Sequence, residues 1–371
     1  MTNRLTLGVE EEFFVVDPST RAVVIDGRPV LDRLGEQGLV GEKRSFDEEL
    51  MLSMVESRTE VCHDLSELRA ELQRLRACVV KAAADTGHLI ASAGTMPIAD
   101  WRTQRITPRP RYQQLAKAYQ QLARQQVICG CHVHIGIRDQ ETAVQVLNRV
   151  QPWLPALLAL SASSPFWMGR DTGYASYRAI RWASWPTAGL PGQYRSLTEY
   201  LKVVQSLIDT GTIFDAGQIY RDVRLANKHD TLEFRAADAC TTVDEAVLQA
   251  GLCRALAITC LAEMTSGQPA PDVHPDLLRA ARWRASRYGL GGDLIDVFSA
   301  KAVPAAALVD RLLTYVRPAL EEFGDWDEVA ALVEQTERRG TSTQRQRRAF
   351  ARAQRLEDIV DLLVAETSGQ T

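Results

Sequence analysis

Three consecutive glutamates, Glu10, Glu11 and Glu12, interrupt an otherwise apolar segment near the start of the chain. In a strand, successive side chains point to opposite faces, so Glu10 and Glu12 share one face and Glu11 lies on the other. Carboxylates two residues apart repel one another, and a divalent cation converts that repulsion into attraction. The pair therefore indicates a cation site, with a solvated strand face as the alternative.

Two histidines form a second pattern, within a predicted strand over residues 127–137. His132 and His134 share a face with Gly130 and Gly136, whose missing side chains leave an open polar surface that a ligand can approach. The pattern favours a binding site, although a histidine in a strand is also common for structural reasons.

Zinc is the first alternative for this strand, because it also contains Cys129 and Cys131. Alternation turns these cysteines away from His132 and His134, so the four cannot close one tetrahedron without a bulge. The metal site of an amidohydrolase-type barrel is a second alternative, but the sequence has no eightfold strand-helix pattern and no further histidine pair.

Glu233 and Arg235 share a face in the second arm of a predicted hairpin, whose arms are residues 222–226 and 231–236. A glutamate can bind a metal there and an arginine can bind a phosphate. A surface ion pair of little energetic value is the alternative.

Glu49 and Glu56 add two carboxylates, either two helical turns apart or in a strand-and-turn arrangement. The sequence has neither a Gly-x-x-x-x-Gly-Lys-Ser/Thr loop nor a Gly-x-Gly-x-x-Gly fingerprint. Any nucleotide would therefore be held by metals and by arginines on strands.

These residues must be positioned by an α+β arrangement, because strand and helix patterns alternate irregularly and the C-terminal third is rich in helices. We predict one domain over residues 1–371. Helices are expected at residues 64–85, 112–126, 142–161, 243–266 and 345–366, and a further strand at 89–93. Asp64 with Glu67 is predicted to start the first helix and Gly87 to stop it.

The composition excludes several classes of partner. There are 43 basic and 47 acidic residues along the chain, which gives no general attraction for nucleic acid or anionic membranes. No signal-peptide pattern is present, and no window approaches the roughly 18 to 20 uncharged apolar residues of a membrane span. We expect a cytoplasmic protein whose seven scattered cysteines are reduced.

Together these segments resemble the carboxylate–amine ligases of the glutamate–cysteine ligase type 2 (YbdK-like) family. No single motif is decisive, but their order and spacing are specific, and the resemblance runs nearly end to end. The segments are 8–12, 53–56, 130–134, a substrate loop over 163–191 that contains Arg178, 233–235, 287–290 and 344–347.

The resemblance implies a fold related to glutamine synthetase, a curved and largely antiparallel sheet with helices on its convex side. It assigns magnesium to Glu10, Glu12, Glu56 and Glu233, and ATP phosphates to Arg235. His132, with His134, would lie beside the nucleotide. Three departures from the family limit this transfer. Glu11 replaces a residue that is often apolar, and Leu52 replaces an acidic residue found in some relatives, so Glu49 is a less certain ligand. Met168 and Ala179 with Ile180 alter the surroundings of the substrate loop.

The activity implied is ATP- and Mg²⁺-dependent coupling of a carboxylate, such as an amino acid like glutamate, to an amine through an acyl phosphate. Catalytic roles are expected for Arg235, Glu56 and Arg178, and a homodimer is implied. Two other functions stay open: a metal-dependent hydrolase that uses His132 and His134, and a non-enzymatic metal or nucleotide sensor.

Overall fold

A computed structural model of the chain describes residues 5–41 and 44–370. The main sheet has seven strands in the order β2-β3-β1-β5-β9-β8, with β4 beside the second half of β1, and every pair is antiparallel. Two small hairpins, β6-β7 and β10-β11, lie outside it. The strands are β1 (Leu7–Val16), β2 (Phe46–Glu48), β3 (Met54–Arg58), β4 (Leu89–Ala91), β5 (Cys131–Gly136), β6 (Phe166–Trp167), β7 (Arg170–Asp171), β8 (Val223–Leu225), β9 (Thr231–Phe234), β10 (Asp293–Asp296) and β11 (Lys301–Pro304).

Helices surround this sheet and dominate the last third of the described chain. They are α1 (Arg28–Gly35), α2 (Leu65–Asp85), α3 (Pro110–Tyr119), α4 (Gln121–Arg124), α5 (Gln140–Val150), α6 (Leu154–Ser161), α7 (Tyr177–Trp182), α8 (Leu197–Asp209), α9 (Val243–Thr265), α10 (Pro275–Tyr288), α11 (Ala305–Phe323), α12 (Trp326–Arg339), α13 (Ser342–Ala353) and α14 (Leu356–Thr367). Short 3₁₀ helices cover Gln151–Trp153, Ala216–Gln218 and Gly289–Gly291.

One face of the sheet packs against helices. Leu7 and Val9 of β1 lie in the same buried cluster as Val133 of β5, Leu68 of α2 and Ala250 of α9. Burial of apolar area on this face supplies the main stabilisation and leaves the opposite face to polar side chains. The predicted α+β class, an antiparallel sheet backed by helices, is confirmed.

Glu11 lies on the helix-packed face, as the alternation of β1 predicts. It is 1% exposed and forms an ion pair with Arg76 of α2, which is 3% exposed. Arg76 donates from Nε to Oε2 of Glu11 at 3.1 Å and from Nη2 to Oε1 at 2.6 Å, and it also donates to the carbonyls of Cys240 and Thr241 at 2.7 Å. Buried charges require such pairing and hydrogen bonding.

Helix α9 is long and apolar enough to cross a membrane, with a mean hydropathy of 1.4 over its best window. Two-thirds (67%) of that window is buried inside the protein, between the sheet and neighbouring helices. A capping box formed by Thr242 and Glu245 starts this helix.

The ends of α2 follow the sequence prediction. Asp64 accepts a hydrogen bond from the Glu67 amide at 2.9 Å, and Gly87 has a positive φ of 74° just past the helix. The hairpin predicted at residues 222–236 is also confirmed, as β8 and β9. Glu49 and Glu56 adopt the strand-and-turn alternative, flanking the turn between β2 and β3.

Three predicted helices are each interrupted, so those boundaries were wrong. The 112–126 helix breaks at Gln120 and the 345–366 helix at Gln354, which have φ values of 48° and 55°. A residue with positive φ cannot continue a right-handed helix. The 142–161 helix passes through a 3₁₀ turn at Pro152, which lacks the amide hydrogen that a helix interior needs.

Two other segments also differ from their predictions. The strand predicted at 127–137 is regular only over β5, because residues 127–129 precede the ladder with β1 and only Gly130 bridges to Asp238. The segment 163–191, expected as a loop, contains β6, β7 and α7.

All seven cysteines are free, as predicted. Cys129 and Cys131 are buried in apolar clusters, Cys131 beneath the face that carries His132 and His134. Alternation thus turns Cys131 away from the histidines, whereas Cys129 precedes the regular strand and packs with Phe14, which shares a face of β1 with Glu12.

We predict that Arg76→Met lowers the free energy of unfolding by about 3–5 kcal/mol, because it leaves the Glu11 carboxylate buried without its partner. Urea denaturation followed by circular dichroism measures this change. The double variant Arg76→Met with Glu11→Leu should recover part of the loss. A single variant within about 1 kcal/mol of the wild type would contradict the importance of this pair.

Candidate active site

The strand register aligns polar side chains in rows across the open face of the sheet. Residues opposite one another on neighbouring strands point to the same side. The three rows are Asp47, Glu56 and Glu12; Arg58, Glu10 and His132; and Gly8, His134, Glu233 and Arg224.

A cavity of about 590 Å³ lies over these rows. Every site residue proposed from the sequence lines it, although those residues come from six separate segments of the chain. They are Glu10, Glu12, Glu49, Glu56, His132, His134, Arg178, Glu233 and Arg235.

Glu10 lies between the two histidines. One of its carboxylate oxygens is 3.3 Å from His132 Nδ1 and the other is 3.6 Å from His134 Nε2. Burial acts to raise the pKa of Glu10, but the two histidines outweigh it and hold that pKa well below its usual value. Burial and the nearby Arg235 lower the pKa of His132, whereas for His134 the charges of Glu10 and Glu233 outweigh burial and raise the pKa.

Glu233 is held by two arginines. Arg224 donates from Nε at 2.7 Å and from Nη2 at 3.1 Å, and Arg235 donates to the same carboxylate through Nη1. Burial acts to raise the pKa of Glu233, but the charges of Arg224 and Arg235 outweigh it and lower that pKa. The sequence analysis missed Arg224, although the register of the predicted hairpin places it opposite Glu233.

Glu12, Glu49 and Glu56 line the same side of the cavity and carry like charges. The amide of Gly130 donates to Glu12 at 2.6 Å, and Arg58 lies 3.3 Å from Glu56. Burial, followed by the charge of Glu12, raises the pKa of Glu49 to about 8. Burial and the charges of Glu10 and Glu49 raise the pKa of Glu56 well above its usual value.

Arg178 enters the cavity from the first turn of α7 and is 3% exposed. Its Nη2 donates to the Arg235 carbonyl at 3.4 Å, and its guanidinium lies 5.8 Å from the centre of the Trp182 ring. A Cβ on Gly130 would stand 2.3 Å from this Nη2. The absence of a side chain at Gly130 is therefore what admits Arg178, which the sequence analysis placed only in a substrate loop.

An aromatic wall closes one end of the cavity, and no local sequence pattern signals it. Tyr220 lies 5.0 Å from Trp182 and 5.1 Å from Trp185, measured between ring centres. Tyr112 and Gln126 complete the wall. The indole nitrogen of Trp185 and Oε1 of Gln126 are buried without a hydrogen-bond partner among the described residues, so each can bind a polar group of a ligand.

A second cavity of about 520 Å³ lies at the other end of the rows. It shares Glu10, Arg58 and His134 with the first, so the carboxylate and histidine rows connect the two. Its lining is of mixed charge, with Arg44, Arg58 and Lys228 beside Glu10, Glu60 and Asp230, and Arg58 and Lys228 also line the first cavity.

Comparison with known proteins identifies the family. A sequence model of the glutamate-cysteine ligase family 2 matches residues 6–365. The chain belongs to this family. A protein of Frankia alni named putative glutamate–cysteine ligase 2-2 is 45% identical to the chain, with 98% of this chain and 97% of that protein covered. A protein of the same name from Frankia casuarinae is 46% identical over 98% of this chain, which spans only 41% of that relative's length.

The fold is shared with solved ligase structures. A glutamate–cysteine ligase of Francisella tularensis, solved in complex with AMP, superimposes with a TM-score of 0.74 over 99% of this chain and 89% of that one, at 13% identity. The predicted family and fold class are thus confirmed, and the predicted enzyme class, a carbon–nitrogen ligase, is that of the family.

In this member of the family, the side chains fit a divalent cation. Donor atoms of Glu10, His132 and Glu233 all lie within 4.8 Å of one another. Burial, followed by neighbouring carboxylates, raises the pKa values of Glu49 and Glu56, so a bound cation would favour their ionised forms. Since most of these donors are carboxylate oxygens, the set suits magnesium better than zinc.

We predict that the metal-free protein loses stability between about pH 4.3 and pH 8, and that Mg²⁺ restores it. A carboxyl whose pKa is higher in the folded than in the unfolded chain contributes stability that is complete below the unfolded value and is lost as the pH rises through the folded one. Glu49, with a pKa of about 8, is such a group. Added Mg²⁺ should raise the melting temperature more at pH 8 than at pH 5.5. A concentration of about 5 mM, on the order of tenfold above an assumed Kd, serves for this measurement.

Glu49→Gln should weaken both the pH dependence and the response to Mg²⁺, because it removes one of the repelling charges. Glu334→Gln, at an exposed position on α12, serves as the matched control and should change neither. Equal melting shifts with Mg²⁺ at both pH values in the wild type would contradict a cation site built on these carboxylates.

Proposed function

We propose that this chain is an ATP- and Mg²⁺-dependent carboxylate–amine ligase that activates its acid as an acyl phosphate. The observation that carries the proposal is one cavity in which a cluster of carboxylates faces buried arginines. Such a site can bind the metal complex of a nucleotide and stabilise the charge that develops during phosphoryl transfer. Membership of a ligase family supports the same reaction class.

The carboxylates would hold magnesium. Glu12, Glu49 and Glu56 form one group and Glu10 and Glu233 another, with Glu10 and Glu12 adjacent on one face of β1. Magnesium bound there supplies positive charge that neutralises phosphate oxygens. Glu233 is also fixed by two arginines, so its carboxylate is already oriented toward the cavity before any ligand binds.

The arginines would hold phosphate and substrate oxygens. Arg235 is 8% exposed, and its Nε has no hydrogen-bond partner among the described residues, although Nη1 binds Glu233. The Nε of Arg178 is likewise buried without a partner in the described chain. Each guanidinium thus keeps a donor for an anionic ligand, as expected of groups that bind phosphate or carboxylate oxygens.

The two ends of the site suit the two kinds of substrate. The second cavity would take the nucleotide, with Arg44, Arg58 and Lys228 near its phosphates, and His134 lies where the two cavities meet. His132 lies next to it, on the other side of Glu10. The end with Trp185 and Gln126 suits the acid and the amine, because it offers a buried donor and a buried acceptor within an apolar wall. The relatives' names make an amino acid such as glutamate the first acid to test.

In the proposed reaction, a carboxylate oxygen of the acid attacks the γ-phosphorus of ATP, and ADP leaves. The amine then attacks the carbonyl carbon of the acyl phosphate, and inorganic phosphate leaves as the amide forms. Arg178 and Arg235 would stabilise negative charge in both steps by electrostatic attraction rather than by covalent catalysis. Glu56, whose pKa is raised by burial and by Glu10 and Glu49, would change its charge when a cation binds.

Other features expected from the sequence stay predictions. They are the single catalytic domain over residues 1–371, the cytoplasmic location and the homodimer. The hydrolase alternative predicts zinc-dependent turnover without ATP. The sensor alternative predicts nucleotide binding without any ADP release.

The first test is a matrix of carboxylates against amines, with ADP production and product mass as readouts. We predict that Glu10→Gln and Arg235→Ala each abolish ATP-dependent coupling while the circular dichroism spectrum stays that of the wild type. Both changes remove a charged side chain that lines the first cavity, the one over the three rows. Glu334→Gln, at an exposed position on α12, is the control and should keep full activity. Unchanged turnover in either cavity variant would overturn the site assignment.

A further inference from the structure

The placement of Arg178 is the unusual feature of this site. Its guanidinium is buried, yet its nearest carboxylate, Asp238, is 3.9 Å from Nη1, too far for a direct hydrogen bond. Its other contacts are the 3.4 Å hydrogen bond to the Arg235 carbonyl and the face of the Trp182 ring, whose centre lies 5.8 Å from the guanidinium. Within the described chain no carboxylate is hydrogen-bonded directly to the Arg178 side chain, so its position also depends on the backbone from which it extends.

Asp238 fixes that backbone. This residue is 0% exposed and follows β9 by four residues. Its carboxylate accepts three hydrogen bonds, from the Ser163 amide at 2.9 Å and from the hydroxyls of Ser164 and Ser176 at 2.6 and 2.7 Å. These serines lie at the two ends of the segment that leads from α6 to α7, so one carboxylate ties both ends together.

Ser164 and Ser176 also bind the backbone at the start of α7. The hydroxyl oxygen of Ser164 accepts a hydrogen bond from the Arg178 amide at 3.0 Å, and that of Ser176 accepts one from the Ala179 amide at 3.1 Å. Each serine donates its hydrogen to Asp238 and accepts from a free amide of the helix N-terminus. Asp238 is thus two hydrogen bonds away from the backbone of Arg178.

The sheet leaves room for this arrangement at two glycines. A Cβ on Gly94 would stand 2.8 Å from Cγ of Asp238, and a Cβ on Gly130 would stand 2.3 Å from Nη2 of Arg178. Any larger residue at either position would displace the carboxylate or the guanidinium. The amide of Gly130 also donates to Glu12, so Arg178 passes directly over a backbone unit that orients one of the cavity's carboxylates.

An ionised carboxylate suits the position of Asp238, because its three close partners are all donors and it needs to donate nothing. An asparagine has nearly the same shape but presents an NH₂ group to one or more of those donors. The substitution therefore breaks the hydrogen bonding with little change in packing.

We propose that Asp238 is a positioning residue for the ligase reaction, which holds Arg178 over the carboxylate cluster through Ser164 and Ser176. The inference rests on the proposed function, since it assigns Arg178 to developing negative charge. Asp238 touches no substrate and acts only through the placement of the guanidinium.

Asp238→Asn should lower kcat by about 10²-fold, the loss expected when a catalytic group moves by about 1 Å. The KM for ATP should change by less than about threefold, since the side chains of the second cavity are left intact. A double-mutant cycle separates positioning from general damage. Arg178→Ala and Asp238→Asn should each lower kcat, and the double variant should be no slower than Arg178→Ala alone.

Ser176→Ala provides a milder variant in case Asp238→Asn folds poorly, and should lower kcat in the same direction by a smaller factor. Asp325→Asn is the matched control, because Asp325 is also a buried aspartate bound by an arginine, Arg254, but lies away from the cavity. It should leave kcat unchanged.

The outcomes separate this inference from the proposed function. Full activity of Asp238→Asn beside an active wild type overturns the inference alone, as does a double variant whose losses multiply. If the wild type couples no acid to any amine with ADP release, the proposed function fails and the positioning role fails with it.

Discussion

The site depends on which face of β1 meets the cavity, and the buried ion pair between Glu11 and Arg76 makes the observed facing possible. Apolar burial of Leu7 and Val9 favours this face, and Glu11 is tolerated beside them because Arg76 compensates its charge from α2. Because side chains alternate, Glu11 pointing inward means that Glu10 and Glu12 point outward. A slip of one residue would bury two carboxylates among apolar side chains, so apolar burial and the ion pair together favour this register.

The carboxylates on the open face are compensated unevenly. Those of Glu12, Glu49 and Glu56 repel one another, whereas Arg224 and Arg235 offset the charge of Glu233. The group of Glu12, Glu49 and Glu56 therefore carries the charge that a cation would offset most. Under the proposed function, a metal and a nucleotide would bind such a site together, because each would relieve a charge that the other leaves.

The sequence could predict the parts of the site that follow from period-two alternation. A strand assignment alone predicts which side chains share a face, and it pairs Glu10 with Glu12, His132 with His134, and Glu233 with Arg235. The structure brings these residues into one cavity. It could not predict the aromatic wall, since Tyr112, Trp185 and Tyr220 meet only through tertiary packing. The helix breaks at Gln120 and Gln354 were missed for a related reason: neither is a residue type that usually favours positive φ.

Several motifs that resemble the family do not face the cavity at all, and their contacts show what they do instead. Arg347 binds Asp171 at 2.8 Å and the carbonyl of Tyr174 at 2.9 Å, and Gln346 donates to the carbonyl of Ser163 at 2.7 Å. Arg287 donates to the carbonyl of Gly173. All of these partners lie in the segment that carries Arg178 into the site. These C-terminal motifs can therefore indicate the function of the protein without contacting a substrate. The Arg178 guanidinium has few direct contacts, so its placement depends on the backbone that these motifs hold.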